Sequence, residues 1–326
     1  MKQKIYIILV NYNGYEDTIE CLESLEELNY TDYQIIIVDN NSSDNSVELL
    51  SIFLQKYNDS FVVYQKKEAV LGGKVEEKNL INPVVLIDAK ENKGFAAGNN
   101  IAMKYALSKN DFEYIWLLNN DTVIDKDSLK ELVLGIEKYD NLGAVGSKIL
   151  YYDKQNLLQN IGSKINEDSF FKLCKPILNL EKDNIDMGQY DYDFEVNDIM
   201  GASLLVKKEI LNKIGFMPEE YFLYGEETDW NFNIQKHGYK LMTMFKSKVY
   251  HKKSRTTGGD DSLIALYYRT RNQFILNKKY MSKIKFIIFI YLFSLKKIFQ
   301  SLRMSHKNRI IIINAIFAGL KKSGTK

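Results

Sequence analysis

Cysteine, proline and glycine are scarce in this sequence, and their scarcity excludes several classes of protein. The 326 residues include 2 cysteines, 3 prolines and 18 glycines. Cys21 and Cys174 stand far apart and belong to no CxxC or Cys/His cluster, so neither a disulfide framework nor a structural zinc site is encoded. With 45% hydrophobic and 26% charged residues, the composition argues against a fibrous or disordered chain. We expect a globular protein from a reducing cytoplasm.

Apolar runs of the length needed for a secretion signal or a bilayer span are lacking. The six apolar residues 5–10 are too few for a signal-peptide core, and no small-residue cleavage site follows them. Two C-terminal runs, from Ile284 and from Ile310, each have about a dozen residues, or roughly 17 Å as helix, against roughly 30 Å for a bilayer core. Neither run can span a membrane alone, so the sequence predicts a cytoplasmic protein.

Acidic residues are scarce at the C-terminal end. Residues 236–326 contain 21 Lys and Arg against 2 Asp and Glu, whereas residues 1–235 contain 23 against 40. This asymmetry indicates an anionic partner, either nucleic acid or an anionic lipid surface, with a solvated basic face as the alternative. Basic residues interrupt both C-terminal apolar runs, which is typical of helices lying in the headgroup plane. We therefore expect peripheral membrane contact, while packing of these runs as ordinary core is an equal alternative.

Short β-rich runs alternate with helical patterns over the first 150 residues. The predicted strands are 5–10, 35–38, 84–87, 114–118 and 144–150, and the predicted helices are 18–28, 47–57, 95–107 and 129–139. Such near-continuous apolar strands indicate an α/β fold, with a Rossmann-like, mostly parallel sheet covered by helices on both faces. We interpret residues 61–84 as a surface insertion and 151–197 as irregular. Further on, 199–206 and 240–250 are predicted strands, and 227–237 is a predicted helix.

Clusters of Asn, Asp, Ser and Gly follow four of the strand regions. They occupy residues 11–14, 39–44, 92–100 and 119–121, and we expect them to meet at the carboxyl edge of the sheet, where ligands bind. Short polar residues suit a phosphate-bearing ligand. A dinucleotide fingerprint GxGxxG and a phosphate loop GxxxxGK[ST] are both absent from the sequence. Asp121, directly behind an apolar strand, instead predicts a Mg²⁺ or Mn²⁺ ion bridging the phosphates of a nucleotide.

Six motifs carry a resemblance to a known family. In order they are ILVNYNG, VDNNSSDNS, ENKGFAAGNN, LLNNDT, GASLLVKKEILNKIGF and YFLYGEETDW, and VYHKKSRTTG, YYRTRN and AIFAGLKKSG continue the series. They resemble glycosyltransferase family 2, especially its bacterial rhamnosyltransferase-like branch. The resemblance implies a GT-A fold, a nucleotide-sugar donor, a divalent metal and inversion at the anomeric carbon. We expect a GT-A domain over residues 1–258 and a basic, apolar helical extension over 259–326.

The resemblance also implies a set of nucleotide-binding residues. These are Val10, Tyr12, Asn13, Asp39, Asn41, Gly94, Asn100, Asn120 and Arg271. A carboxylate such as Asp39 accepts from a base N–H or a sugar hydroxyl, and a glycine at position 94 allows close approach of the nucleotide. Cations beside the diphosphate would come from Lys252, Lys253, Arg255, Arg269 and Arg271, and the neutral amide of Asn272 would add a hydrogen-bond donor there. Gly258 and Gly259 would permit a loop that closes over the donor.

Metal and acceptor residues follow from two of the motifs. Asn119 takes the place of the first acid of the family's D-x-D motif, so the metal would be held by Asp121, with His251 as the second protein ligand. Glu227 takes the place of the catalytic aspartate and would draw the proton from the attacking sugar hydroxyl. Glu226, Asp229 and Trp230 would border the acceptor site. Repulsion from Glu226 and Asp229 would raise the proton affinity of Glu227, and either of these acids stays an alternative base.

The sequence as a whole predicts an inverting, metal-dependent glycosyltransferase at the inner face of the cell membrane. It would move a sugar from a UDP or dTDP donor to a glycan or lipid-linked acceptor in cell-surface polysaccharide synthesis, and the branch favours rhamnose as the sugar. One alternative is a nucleotidyltransferase, although NYNGYED lacks the basic, glycine-rich loop of that class. Another is a non-catalytic nucleotide-sugar or nucleic-acid-binding module, although no zinc-finger or RNP motif supports nucleic acid. A glycosidase is a further alternative, but its reaction would need neither the predicted metal ligands nor the predicted nucleotide-binding residues.

Overall fold

A computed structural model describes residues 3–57, 60–74, 80, 82–165, 177–180, 182–252 and 262–324. Its strands are β1 (Ile5–Asn11), β2 (Tyr33–Asp39), β3 (Phe61–Gln65), β4 (Val84–Asp88), β5 (Tyr114–Asn119), β6 (Thr122–Ile124), β7 (Leu142–Tyr151), β8 (Lys154–Asn160), β9 (Ser163–Ile165), β10 (Ile177–Asn179), β11 (Phe194–Val196), β12 (Ser203–Lys207) and β13 (Lys240–His251). Its helices are α1 (Tyr15–Glu26), α2 (Ser46–Tyr57), α3 (Lys66–Ala69), α4 (Phe95–Lys109), α5 (Ser128–Lys138), α6 (Lys208–Ile214), α7 (Glu226–Lys236), α8 (Leu263–Tyr280), α9 (Lys283–Leu302) and α10 (His306–Lys322), with a 3-10 turn at Glu219–Tyr221.

The main sheet has a parallel half and a mixed half. Strands β3, β4, β2, β1 and β5 lie side by side in that order and are parallel. Strand β12 pairs antiparallel with both β5 and β7, and β7 continues to β13 and β11. Residues Ile5–Leu9 of the central strand β1 are fully buried, which explains why this strand is apolar at every position rather than at alternate ones. The expected mostly parallel α/β sheet is confirmed.

Helices cover both faces of this sheet. In β1, Ile5, Ile7 and Leu9 pack in one core cluster with buried residues of α1, α2 and α5. Tyr6 and Ile8 point to the other face and pack in a second cluster with residues of α4, α6 and α7. Side chains alternate between the faces of a strand, so a single apolar strand supplies both cores.

Helices α8, α9 and α10 form a separate helical layer with its own core. Phe274 of α8 packs with Phe286, Phe289 and Phe293 of α9 and with Ile312 and Ile316 of α10. At Gly319 in α10, a β-carbon would lie 2.4 Å from the Phe274 ring, so the glycine allows α8 and α10 to approach closely. Among the described residues, no helix has the length and apolar character that crossing a membrane requires.

Three sequence interpretations of the first 210 residues differ from the structure. Residues 151–197, expected as irregular, include the strands β8, β9, β10 and β11. Strand β8 is mostly polar and its first three residues are exposed, so it lacks the apolar run that indicates a strand. Residues 61–84, expected as a surface insertion, include β3 and α3, and β3 is the edge strand of the sheet. Its burial is partial, with Val63 43% exposed, so the continuous apolar signature of a central strand is weaker there. The strand expected over 199–206 begins at Ser203. The residues before it form the turn that reaches the cavity described below.

A row of buried hydroxyl groups joins four strands of the mixed half. The Trp116 indole on β5 donates to the Ser203 hydroxyl of β12 at 2.9 Å. Ser203 lies 2.6 Å from the Ser147 hydroxyl of β7, which lies 2.7 Å from the Ser247 hydroxyl of β13. All three serines are buried, so each partner satisfies a group that water cannot reach.

Removing the hydroxyl of Ser203 is expected to destabilise the fold. The Ser203→Ala variant leaves the Trp116 N–H unpaired in a dry core, which costs about 1–3 kcal/mol. Urea denaturation followed by fluorescence measures this loss. Ser51→Ala is the matched control, because the Ser51 hydroxyl donates only to Val47 O within its own helix in the described structure. Equal losses for the two variants would show that the hydroxyl row contributes no special stability.

Candidate functional site

A cavity of about 480 Å³ opens where the carboxyl ends of β1 and β5 meet the start of α7 and the end of β13. Eight of the site residues predicted from the sequence line it: Val10, Tyr12, Gly94, Asn120, Asp121, Glu226, Glu227 and His251. Arg269 of α8 also lines it. The polar clusters that follow separate strands are therefore brought together, as parallel strands require. Seven other predicted residues, namely Asn13, Asp39, Asn41, Asn100, Asp229, Trp230 and Arg271, lie outside this lining.

A buried amide network organises the strand ends beside Val10 and Tyr12. The Asn11 amide donates to Asp39 Oδ2 at 2.7 Å, and its carbonyl oxygen accepts from the Thr18 hydroxyl at 2.9 Å. Asn120 then donates to Thr18 Oγ1 at 2.9 Å. Asn11, which the sequence analysis did not select, is the centre of this network and is fully buried. Its position at the end of the central strand is the signal that could have found it.

Asp39, Asn13 and Asn41 shape the loop that follows β2. Asp39 accepts from the backbone N–H and the hydroxyl of Ser42, at 2.9 and 2.6 Å. Asn13 accepts from the Ser43 N–H at 2.7 Å. Asn13 and Asn41 both have left-handed backbones, with φ of 50° and 64°, a conformation that asparagine tolerates better than most residues. These contacts hold the loop beside the cavity, and Asn41 itself is exposed.

Gly94 and Asn100 contact a protein loop, although the resemblance implied a nucleotide contact. Gly94 has φ of +95°, and a β-carbon there would lie 2.0 Å from the carbonyl oxygen of Phe222. The next N–H, of Phe95, donates to that same carbonyl at 2.9 Å. Asn100 donates to Met217 O at 2.9 Å and accepts from Met217 N at 3.1 Å. The start of α4 is thus fastened to residues 217–222.

Asp121 and His251 bring a carboxylate and an imidazole together at the cavity wall. Asp121 Oδ1 lies 3.0 Å from His251 Nε2, and both residues are buried. On the other side of the ring, Nδ1 lies 2.5 Å from Gln159 Oε1, which accepts the proton of the tautomer that is protonated at Nδ1. A histidine held in this way presents Nε2 as a ligand atom. Among the described residues, no group of three or more His, Cys, Asp or Glu side chains forms a metal site.

Glu226 and Glu227 lie in the first turn of α7, which begins after Gly225 at φ of 101°. Burial raises the pKa of both carboxyls, and the charge of Glu227 raises the pKa of Glu226 further. The backbone N–H of Gly225 and the Arg269 cation lower the pKa of Glu227 in part. Burial, rather than repulsion from Asp229, is thus the main cause of the shift. Each glutamate keeps one buried Oε2 without a hydrogen-bond partner among the described residues.

Asp198, a third acid of the same cavity, was not predicted from the sequence. It lines the cavity with the two glutamates, and burial, followed by the charge of Glu227, raises its pKa to about 7. Thr228 donates to Asp198 at 3.1 Å and Asn231 at 2.9 Å, so α7 holds it in place. It precedes the GASLLVKK motif in an irregular segment, which gave no periodicity from which to select it.

The side chains of Asp229 and Trp230 are buried and form hydrogen bonds inside the protein. The Asp229 carboxylate forms an ion pair with Lys279 and accepts from Tyr221 at 2.8 Å and from Tyr280 at 2.6 Å. Trp230 is 2% exposed, and its indole donates to Gly215 O at 3.1 Å. These contacts anchor α7 to α8 and to the loop after α6.

The predicted cations fall into two groups. The Arg269 guanidinium reaches the cavity and lies 4.4 Å from the centre of the Tyr224 ring. Lys252 is buried in ion pairs with Asp17, at 2.6 Å, and with Glu20. Lys253, Arg255, Gly258 and Gly259 lie outside the described residues, as does the expected closing loop.

Arg271 and Asn272 act on the loop over 220–225 rather than facing the cavity. Arg271 donates to Glu220 O at 3.2 Å and also to Tyr221 O. The Asn272 amide donates to the carbonyls of Tyr221, Leu223 and Tyr224, at 3.2, 2.8 and 2.6 Å. Phe222 and Tyr224 have φ of 68° and 67°, values that cost free energy in a residue with a side chain. The pair on α8 therefore stabilises a strained loop that lines the cavity.

The topology and the position of this cavity define the class of fold, which is GT-A. A mannosyltransferase from Pyrobaculum calidifontis, PcManGT, solved in complex with GDP-Man and Mn²⁺, is similar with a TM-score of 0.56 and 13% sequence identity. The similarity covers 99% of this chain and 87% of that chain. At this identity it concerns the fold alone.

The sequence family is shown by a match over residues 6–215 to glycosyl transferase family 2, and the chain belongs to that family. A low-salt glycan biosynthesis hexosyltransferase, Agl10, of Haloferax volcanii is 23% identical over 199 residues, which are 60% of this chain and 61% of that protein. A poly-β-1,6-N-acetyl-D-glucosamine synthase of Staphylococcus epidermidis is 25% identical over 230 residues, 71% of this chain and 46% of that protein. The matched region is less than two thirds of the length of these relatives.

Replacing Asn272 is expected to release the loop over 220–225. Asn272→Ala removes the donor to three carbonyls, and the unfolding free energy should fall by about 1–3 kcal/mol. Limited proteolysis should cut the loop sooner than in the wild type. Asn277→Ala is the control, because Asn277 is also buried on α8 but donates only to Gln273 in the described structure. Loop cleavage at the same rate in both variants would contradict the role of Asn272.

Proposed function

We propose that this protein is an inverting, metal-dependent glycosyltransferase that moves a sugar from a nucleotide-sugar donor to a hydroxyl group of a glycan or lipid-linked acceptor. The observation that carries the proposal is the cavity itself. It holds a carboxylate and imidazole pair, Asp121 and His251, together with the half-buried acid Glu227. Transfer of a sugar needs both a cation beside the leaving diphosphate and a base beside the attacking hydroxyl. Family membership and the names of the two curated relatives support the same reaction.

The donor is proposed to lie along the wall formed by Val10, Tyr12 and Asn120. UDP or dTDP is the proposed nucleotide, and GDP belongs in the test because PcManGT was solved with GDP-Man. Rhamnose is the sugar that the resemblance favours. The amide network around Asn11 and Asp39 fixes the loops bordering this wall, so that few groups need reordering when the nucleotide binds.

Asp121 and His251 fit a divalent cation such as Mn²⁺ or Mg²⁺. Their ligand atoms are 3.0 Å apart at the cavity wall, and Gln159 holds the histidine proton on the opposite nitrogen. Carboxylate oxygen suits either ion, and imidazole nitrogen favours Mn²⁺ of the two. When bound, the ion supplies positive charge to the departing diphosphate. Arg269 and Lys182 both line the same cavity, and Arg269 would add to that charge.

Glu227 is the proposed base. Its raised pKa increases its affinity for a proton, and its Oε2, which has no hydrogen-bond partner among the described residues, can accept one from an acceptor hydroxyl. The attacking oxygen forms its bond to the anomeric carbon as the bond to the diphosphate breaks, which inverts that carbon. Glu226 is more deeply buried, and Asp229 is held in an ion pair. Their contacts favour supporting roles at the acceptor side, with Glu226 in the cavity wall and Asp229 and Trp230 anchoring α7.

The setting proposed for the reaction is the inner face of the cell membrane, in cell-surface polysaccharide synthesis. The basic residues of the C-terminal third support contact with anionic lipid. We keep residues 1–258 as the GT-A domain and 259–326 as the helical extension, with α8 of the extension contributing Arg269 to the cavity. Nucleic acid is not a proposed partner.

The donor and metal proposals predict ligand-dependent stabilisation. UDP or dTDP should raise the melting temperature more with Mn²⁺ or Mg²⁺ than without, because binding to the folded state stabilises it by mass action. The metal-dependent part of the shift should disappear in Asp121→Asn. Measuring the melting temperature with UDP, dTDP and GDP, each with and without metal, also identifies the nucleobase that the site prefers. A shift from none of the three nucleotides would overturn the donor site.

The base proposal predicts a slow Glu227→Gln variant that still binds the donor. Release of nucleoside diphosphate from the sugar nucleotide should fall by about 10²–10⁴-fold, while the melting shift with nucleotide is unchanged. Because Glu227 acts deprotonated and burial raises its pKa, the wild-type rate should fall with decreasing pH already above the ordinary value of 4.5. This acid limb should be lost in the variant.

Two neighbouring variants serve as controls for the base. Glu226→Gln should retain more activity than Glu227→Gln, and Asp229→Asn should mainly lower the melting temperature because its ion pair with Lys279 is lost. If Glu227→Gln turned over the donor at nearly the wild-type rate while Glu226→Gln did not, the base would be Glu226.

A further inference from the structure

Helix α9 exposes a continuous apolar row along its outer side. We call this row the outer stripe and define it as Ile284, Ile288, Tyr291, Leu295, Phe299 and Leu302. These side chains are between 40% and 74% exposed. Their spacings of three and four residues place them on one face of the helix. The row runs roughly 27 Å at 1.5 Å per residue, so it is a surface feature of the whole helix rather than a single exposed residue.

The opposite side of α9 is apolar as well, and it is buried. Phe286, Phe289 and Phe293 pack against Phe274 of α8 and against α10. The buried face attaches α9 to the rest of the protein, so the side chains of the outer stripe are not needed for that packing. An exposed row of large apolar side chains costs free energy in water and marks a contact surface when it is contiguous.

Helix α10 adds further exposed apolar side chains. Ile310, Ile313 and Phe317 are 45%, 37% and 67% exposed. They share one face of α10 by the same three- and four-residue spacing. The buried face of α10, with Ile312 and Ile316, packs in the same core as α9. Both outer helices of this layer are therefore apolar on two sides.

Positive charge borders the outer stripe. Residues 263–322 contain 13 Lys and Arg and no Asp or Glu. At 3.6 residues per turn, Lys285 and Lys296 fall on one flank of the stripe and Lys283 falls on the other. An apolar row between basic flanks matches the boundary between acyl chains and anionic headgroups.

We propose that the outer stripe of α9 is a docking surface for an anionic lipid bilayer, with the helix lying in the membrane plane. A second copy of the chain fits this face poorly, because two such faces would bring only cations together around the stripe. A bilayer supplies both an apolar phase and the opposite charge. The inference deepens the proposed membrane setting and rests on the proposed function in one respect, the presence of the acceptor at the membrane.

Docking at this surface would hold the candidate site next to the lipid. Helix α8 packs on α9 and α10 through Phe274 and carries Asn272, the donor to the carbonyls of the loop over 220–225. Lys322 of α10 donates to Glu220 O of the same region at 3.0 Å. The docking helices and the acceptor side of the cavity are thus joined by direct contacts. A lipid-linked sugar would meet the cavity from the surface on which the protein rests.

Co-sedimentation of the full chain with vesicles tests the surface without any transfer assay. Vesicles of equal parts phosphatidylcholine and phosphatidylglycerol should bind the protein, and binding should weaken with salt and on phosphatidylcholine alone. Tyr291→Ser/Phe299→Ser should bind at least about tenfold more weakly, because two large side chains no longer enter the apolar phase. Lys283→Gln/Lys285→Gln should lose affinity several-fold for the anionic vesicles only.

Leu71→Ser/Met187→Ser is the matched control, since Leu71 and Met187 are 82% and 83% exposed but lie outside α8–α10. It should bind like the wild type. Hydrogen exchange of the wild type should show protection of α9 by vesicles, independently of any variant. The proposal would be overturned if the stripe and control variants bound vesicles equally, or if vesicles left α9 unprotected. It would also be overturned if the wild type formed a dimer in solution and the stripe variant abolished that dimer without changing vesicle binding. The nucleotide melting shift should be the same in all four proteins, which separates this outcome from failure of the donor site.

Discussion

The burial of acids at the start of α7 is the constraint on which the candidate site depends. Three carboxyl groups, from Asp198, Glu226 and Glu227, line one cavity, and burial raises the pKa of each. Such an arrangement is costly unless the groups are protonated or met by donors. The N-terminal N–H groups of α7 and the Arg269 cation offset part of that cost. The rest of the local structure serves to keep α7 where these acids face the cavity.

Two layers of the protein hold α7 in that position. From the sheet side, the start of α4 binds the Phe222 carbonyl just ahead of α7. From the other side, α8 supplies Asn272 to the carbonyls of the same loop and Lys279 to Asp229. The helical layer is therefore part of the site's scaffold. The charge of this segment does not indicate that role, which depends on its buried polar residues Arg271 and Asn272 and on Lys279 and Lys322, all of which contact residues 220–229.

The sequence allowed prediction of the features that follow from hydrophobic periodicity and from the positions of strand ends. The central strands were found because burial on both faces makes them apolar throughout, and Asp121 was found because it follows an apolar strand closely. His251 was found only through the resemblance carried by the motif VYHKKSRTTG. The edge strand β3 was missed because exposure weakens that pattern. Arg271 and Arg269 are two residues apart, and no pattern in the sequence says which one turns inward to backbone carbonyls and which reaches the cavity. Asn11 could have been selected from its position at the end of the central strand, whereas Asp198 depends on contacts with Thr228 and Asn231 of α7, so tertiary packing alone reveals it.

The loop before α7 is held in place by contacts with its main-chain carbonyl groups. Gly94, Phe95 and Asn272 all meet carbonyl oxygens of residues 221–224, which every amino acid possesses. Phe222, Leu223 and Tyr224 line the cavity, and the rings of Phe222 and Tyr224 also contact Tyr268 and Arg269 of α8. Because the hydrogen bonds that hold the loop go to its main chain, the side chains on this part of the cavity wall can change from one family member to another while the backbone keeps its course.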